Sequence, residues 1–457
     1  MQPEPTSIVP LRASAGHFNP TDVGNAARLV ARHGRDLRYC HPWNQWFVFD
    51  GRLWQLDERG EAEARMKETL RSLLADAHEI DDDKARPRLV KHVLESERAG
   101  RIRGSLDLAR SEPGVPVLPD DFDTDDWLLN VENGTVDLKT GELRPHDRAD
   151  LITKLAPVTY DAEAVAHLWA AVLEKVLPDA DDRELFRRIV GYCLTGVTYE
   201  QIVLIFYGLG ANGKTTVMET VRCLMGDYAQ QTPAETFTEH RDSIPNDVAR
   251  LRGVRLALAA ELGEGRRLNE ALIKRMTGGE KIVARFMRAE WFEFAPKFTP
   301  ILVTNHCPEI RGTDEAIWRR IRLVPFSVTI PLQERDPTLP AKLREELPGI
   351  LNWAIDGCLA WQREGLPETA NVSAATRQYR ADSDLIGRFI EDVCDTADTY
   401  RCTSAELHQA YATWATATGE KPVSQNTLGR RLKERGYDSH RTGTARWWLG
   451  ITPRSDA

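Results

Sequence analysis

The residues best suited to chemistry stand together at Gly208-Leu-Gly210-Ala211-Asn212-Gly213-Lys214-Thr215, between an apolar run, Ile202 to Tyr207, and a helix-forming run from about Thr216. A Gly-x-x-x-x-Gly-Lys-Thr string in that setting is a phosphate-binding loop. Its glycines let backbone N–H groups converge on phosphate oxygens, and the helix start adds partial positive charge. Gly208, Gly210, Ala211, Asn212, Gly213, Lys214, Thr215 and Thr216 are therefore candidate nucleotide ligands, with Lys214 directed to the β/γ-phosphates and the Thr215 hydroxyl to Mg2+. The same glycines also satisfy a dinucleotide fingerprint, with Asp227 about twenty residues on. That reading fails on context, because Asp227 lies in Met-Gly-Asp-Tyr, a helix-ending turn and not the end of a second strand.

Hydrolysis needs an acid at the end of a neighbouring strand, and Arg255-Leu-Ala-Leu-Ala-Ala-Glu261 supplies one. Glu261 can complete the Mg2+ shell and polarise an attacking water. A further strand, Ile301 to Thr304, ends in Asn305, whose amide can orient water at the γ-phosphate or simply cap the strand. Two windows are basic. Residues 266–289 hold seven Lys/Arg against two acids, and residues 401–457 hold nine against five. The first contains a predicted hairpin, Ile282 to Phe286 and Trp291 to Phe294, with Lys281 at its base, Arg285 on its first strand and Arg288 near its tip. Such residues can follow a nucleic-acid backbone without reading sequence, while Lys274 and Arg285 can alternatively serve the nucleotide site or a subunit interface.

These residues need elements to hold them. Thr21 to Arg32 is a capped helix, Trp43 to Leu56 a hairpin about Asp50-Gly51, and residues 61–100 a charged helical region. Residues 113–126 form a Pro-rich, acidic linker, and Trp127 to Leu143 a small meander with turns at Asn133-Gly134 and Thr140-Gly141. After helical residues 164–195, strands Ile202 to Tyr207, Arg255 to Ala260 and Ile301 to Thr304 alternate with helices as a parallel α/β sheet does. Thr403-Ser-Ala-Glu406 opens a capped helix, Ser424 to Arg435 forms a second, and a hairpin about Gly443 follows, the order of a winged helix. Arg430, Arg431 and Lys433 on the second helix are candidate DNA contacts, with a partner-binding module as the alternative.

The 457 residues suit roughly three domains. We divide them into a tail (1–20), an α+β N-terminal domain (21–195), a P-loop core (196–330), a helical connector (331–384) and a winged-helix unit (385–457). A net charge of −9 excludes binding of nucleic acid through bulk charge. No apolar run reaches membrane-spanning length, and the first twenty residues lack a signal-peptide pattern, so no membrane partner and a cytoplasmic location are expected. Seven scattered cysteines with no Cys-x-x-Cys read as reduced core thiols.

The chain resembles the superfamily 3 helicases of the phage/plasmid and poxvirus-type primase-helicase family. The likeness rests on Gly208 to Thr216, Leu251-Arg252-Gly253, Ile273-Lys274, Thr277-Gly-Gly-Glu280, Ala284-Arg285, Phe292-Glu-Phe-Ala-Pro296, Thr304-Asn-His-Cys-Pro308 and Trp318-Arg-Arg-Ile321. It implies an AAA+-like ATPase using ATP and Mg2+, a homo-oligomeric ring, usually a hexamer, with single-stranded DNA in its pore and 3′-to-5′ translocation. It also implies replication of a phage, plasmid or integrated element, origin duplex at the winged helix, and a separate primase or polymerase. Within it Arg319 or Arg320 would be the arginine finger completing a neighbour's site, a choice the motif leaves open. Two departures stand out. Ala260 precedes Glu261 where many relatives carry paired acids, and the upstream Asp-x-Asp sites at residues 119–126 sit in a polar loop, so no primer synthesis is expected. The alternatives are an ATP-controlled origin-binding initiator without processive unwinding and a small-molecule kinase.

Overall fold

The computed structural model describes residues 18–78, 81–239, 246–260, 262–263, 265–286, 290–310, 315–443 and 445–454. The expected tail therefore lies almost wholly outside the described residues, as do Glu261 and Arg288.

A five-stranded, all-parallel sheet forms the centre. Its order is Ala229–Pro233, Leu256–Ala260, Thr299–Thr304, Val203–Tyr207 and Ile321–Pro325. The three expected strands are present. Their continuous apolar runs follow from burial on both faces: Leu204, Phe206, Leu258 and Val303 pack on one side, and Val203, Ile205, Ala257 and Leu302 on the other. Both flanking strands escaped the sequence reading. Ala229–Pro233 is polar and largely solvent-facing, and Ile321–Pro325 is a five-residue run that periodicity cannot separate from helix.

The first face is covered by helices Lys214–Met225, Ala180–Cys193 and Leu347–Glu364, and its core extends without a break into Leu129, Val131 and Val136 of the meander. The segment preceding residue 196 thus shares its core with the sheet. The second face packs on helix Glu270–Thr277, on Trp318 and on Tyr379 of helix Ala370–Ser383. The N-terminal part has its own core, in which helices Asp22–His33, Glu61–His78 and Ala99–Ala109 bury Ala26, Leu29, Met66 and Leu106. Beside it runs a four-stranded sheet, Trp54–Leu56, Gln45–Phe49, Leu37–Cys40 and Pro116–Val117. Thr21 caps the first helix by accepting from the Gly24 amide, as its position predicts.

The C-terminal unit contains helices Leu385–Val393, Ser404–Ala417 and Gln425–Glu434 and a three-stranded antiparallel sheet. Thr403 and Glu406 form the expected capping box. Strand Cys394–Thr403 was not expected, because only its two end cysteines are buried and no alternation marks it. Trp448 is buried in this core, while Trp447 is half-buried beneath Arg401. All seven cysteines are free thiols, and burial pushes those of Cys193, Cys358, Cys394 and Cys402 up to about 12. No helix among the described residues is long and apolar enough to cross a membrane.

Candidate functional site

Strand Val203–Tyr207 runs into the Gly-rich loop, and the following helix begins at Lys214, two residues earlier than its sequence suggested. Loop packing explains the glycines. A side chain at Gly208 would come within 2.3 Å of the Phe326 carbonyl oxygen, and Gly213 holds φ +79 against Val176. Ala211 also adopts a positive φ, and its carbonyl accepts from the Ile330 amide at 2.7 Å. The loop is thereby clamped from residues 326–330, just beyond the strand Ile321–Pro325, a contact with no sequence signal.

Lys214 is only 3 % exposed. Its ammonium donates to the Gly208 carbonyl at 2.8 Å, to Asn212 Oδ1 at 3.0 Å and to Asn305 Oδ1 at 3.1 Å. Asn212 in turn donates to the Phe326 carbonyl at 3.1 Å. Burial pulls the Lys214 ammonium below the ordinary lysine value, since three neutral oxygens replace water without supplying a countercharge. Thr215 is exposed on the first helical turn, Thr216 half-buried beside it, and no side chain caps the helix start. The loop and helix start thus bring together a buried ammonium, an exposed hydroxyl and amides that no side chain caps, donor types suited to a polyphosphate.

Asn305 follows strand Thr299–Thr304 and is aimed by its neighbour. The Thr304 hydroxyl accepts from the His306 amide at 3.1 Å and donates to the His306 carbonyl at 2.8 Å, turning the chain so that Asn305 meets Lys214. Strand Leu256–Ala260 lies alongside, with Ala260 opposite Val303. Among the described residues no three His, Cys, Asp or Glu side chains cluster as a metal centre.

The two arginines part company. Arg320 is buried and fastens the sheet's edge: Nε donates to Thr277 Oγ1 at 3.1 Å and its side chain also reaches the Ala316 carbonyl at 2.5 Å. Arg319 is exposed, and its guanidinium has no partner among the described residues. It opens onto a 420 Å3 cavity shared with Arg322, Arg377 and Arg380. Strands Ile321–Pro325 and Val203–Tyr207 are parallel, with Ile321 opposite Val203 and Pro325 opposite Tyr207. Both arginines thus stand at the start of the strands and the Gly-rich loop at their end, roughly 15 Å away at about 3.3 Å per residue.

The predicted hairpin is present but shorter, Ile282–Ala284 paired with Phe292–Phe294. Lys281 is exposed at its base, and Arg285 lies 4.7 Å over the Trp291 ring. On helix Gln425–Glu434, Arg430 and Arg431 line an 810 Å3 groove with Arg267, Asn269 and Glu270 of the central part; Arg430 is nevertheless exposed and pairs with Glu434 at 3.8 Å, Arg431 is half-buried, and Lys433 faces solvent. The upstream acids serve turns and ion pairs: Asp123 accepts from the Thr153 amide at 2.8 Å, Asp125 from the Trp127 amide at 2.9 Å, and Asp126 pairs with Lys297 at 2.7 Å. Asp227 accepts from the Leu155 amide within a helix-ending turn, as expected.

Residues 26–178 match a family model described as D5 N terminal like, and residues 381–441 one described as Poxvirus D5 protein-like. In these two segments the chain resembles the D5-like primase-helicase family. A protein of Acanthamoeba polyphaga mimivirus provisionally named a helicase is 27% identical over 71% of this chain and 36% of its own length. One of Frog virus 3, also provisionally named a helicase, is 26% identical over 68% and 33%. A protein of African swine fever virus provisionally named a primase is 26% identical over 71% and 36%. The D5-like chain thus spans about a third of the length of the curated relatives it matches. Its mixed α/β fold with a parallel sheet resembles the apo C-terminal region of NrS-1, at a TM-score of 0.51 and 10% identity, over 95% of this chain and 100% of that one.

Proposed function

We propose that this D5-like chain is an ATP-dependent, ring-forming DNA helicase of superfamily 3, with an AAA+-like P-loop core and a C-terminal winged helix, acting in replication of a phage, plasmid or integrated element. The observation that carries the reading is the convergence of Lys214, Asn212 and Asn305 at the mouth of the Gly-rich loop. Lys214 would exchange its three neutral oxygen partners for β/γ-phosphate oxygens, and Asn305, released by that exchange, would orient water. Thr215 and Glu261 are the proposed Mg2+ ligands, and the ion would neutralise charge on the phosphates.

Arg319 is the better finger of the two. It is exposed and has no side-chain partner among the described residues, while Arg320 is committed to Thr277 and Ala316. Its position at the opposite end of the sheet suits action on a neighbouring subunit's nucleotide, which calls for a homo-oligomer, with a hexamer as the proposed size. Lys281, Arg285 and Arg288 would face single-stranded DNA in the pore. Arg430 and Lys433 are exposed and would meet duplex, whereas Arg431 is half-buried in the groove beside the central part and would need the C-terminal unit to swing away. A separate primase or polymerase would supply synthesis.

A strand-displacement assay on forked DNA tests the reading. Wild type should unwind with ATP, and Lys214→Ala should not. Wild type that hydrolyses ATP without unwinding would leave the origin-binding initiator instead.

A further inference from the structure

Five planar groups form a ladder between the N-terminal module and the hairpin. Phe122 stacks on Trp43 at 6.2 Å with planes 5° apart. The Arg252 guanidinium lies 5.3 Å from the Trp43 ring and 5.5 Å from the Phe292 ring. Phe292 stacks on Phe286 at 5.5 Å and 23°. Trp43 is 41% exposed and Phe286 44%, so the ladder is open along its side. Nothing in the hydrophobic cores requires this, since large aromatics are ordinarily drawn inward.

A 340 Å3 cavity runs beside the ladder, with Trp43, Phe122 and Lys154 on the N-terminal side and Arg252, Lys281 and Lys297 on the central side. The cations divide into two kinds. Arg252 pairs with Asp120 at 2.6 Å, and Lys297 with Asp126 at 2.7 Å, while Lys154 and Lys281 have no partner among the described residues. Asp123, also in the lining, is occupied by Thr153, leaving Glu293 as the one carboxylate without a named partner there. Exposed aromatic sides next to ammonium groups with no partner among the described residues form a recognition set for an unstacked polynucleotide: bases against the rings, phosphates on the lysines. A rigid strut needs neither the exposed ring sides nor lysines without a partner among the described residues.

We infer that this groove is a single-stranded DNA site that carries the strand from the hairpin onto the N-terminal module, with bases packing against the exposed sides of Trp43 and, at the hairpin end outside the cavity, Phe286, and phosphates meeting Lys154 and Lys281. The inference deepens the helicase reading and rests on its DNA-binding part. It gives the D5 N terminal like segment a direct share in holding the strand.

The test uses the full chain and an oligo(dT) carrying 5-iododeoxyuridine. Ultraviolet cross-linking followed by peptide mapping should label the peptide containing Trp43. In fluorescence anisotropy, Trp43→Ala and Lys154→Glu should each bind fluorescent oligo(dT) about 10-fold more weakly, and Trp43→Phe, which keeps a ring, should restore most of the loss. Cross-links confined to the hairpin, together with unchanged affinity in Trp43→Ala and Lys154→Glu, would overturn the groove while leaving DNA binding by the hairpin intact. Wild type that fails to bind oligo(dT) at all would overturn both readings.

Discussion

The two ends of the parallel sheet differ in what they require from outside the chain. At the end where Val203–Tyr207 and Thr299–Thr304 finish, Lys214 and Asn305 are already in hydrogen-bond contact, held by the loop, by Thr304 and by the Phe326 carbonyl. At the other end Arg319 projects into an open cavity with no partner among the described residues. One end is assembled by local sequence and strand adjacency. The other carries an exposed arginine, beside Arg322, Arg377 and Arg380, whose proposed target lies on another copy. The lesson is that an arginine of the same core need not stand at its Gly-rich loop, because parallel strand direction puts the two at opposite ends of the sheet.

That contrast can be broken first at its strongest point. Arg319→Ala and Lys214→Ala should each lower steady-state phosphate release by about 10³-fold, but only Arg319→Ala should keep nucleotide affinity. Mixing the two proteins should recover part of the activity, because some interfaces then combine an intact loop with an intact Arg319. Mixtures as inactive as either variant alone would place Arg319 outside the neighbour's site.

A smaller effect separates Arg319 from Arg320. Arg320→Ala removes charged hydrogen bonds to Thr277 and Ala316 from a buried edge and should cost about 2 kcal/mol of stability, read as a lower denaturant midpoint. Arg319→Ala should leave that midpoint in place. Equal midpoints for the two variants would dissolve the distinction.

The smallest effect concerns the assembled end. Burial lowers the pKa of Lys214 in the nucleotide-free protein, so its proton is lost at a lower pH than from an ordinary lysine. Phosphate binding needs the ammonium form. Affinity for a fluorescent ATP analogue should therefore be flat below the depressed pKa and weaken as pH rises through it. Affinity that rises with pH would show that Lys214 does not carry the phosphate contact.

Much of this site was legible because its signals are local. The Gly-Lys-Thr string, the apolar strand before it and the Thr-Asn dipeptide ending another strand occupy short windows, and parallel strand order then puts their ends side by side. The capped helices at Thr21 and Thr403 were legible for the same reason. The polar strand Ala229–Pro233 and the exposed Cys394–Thr403 were not, since each is held by backbone pairing and carries no side-chain period. Nor was the ladder through Trp43, Arg252 and Phe292, in which Trp43 lies more than two hundred residues from the other two.

By itself, the sequence determined the phosphate-type loop, the strands that end beside it, the basic windows and the negative balance elsewhere, because composition, spacing and short-range backbone preference carry them. Only the tertiary structure separated Arg319 from Arg320, set Arg431 half-buried in a groove beside the central part, and joined the N-terminal aromatics to the hairpin. Burial and partner choice are properties of how distant segments pack, and adjacent residues of the same type receive opposite fates once one side of the chain meets a core and the other meets solvent.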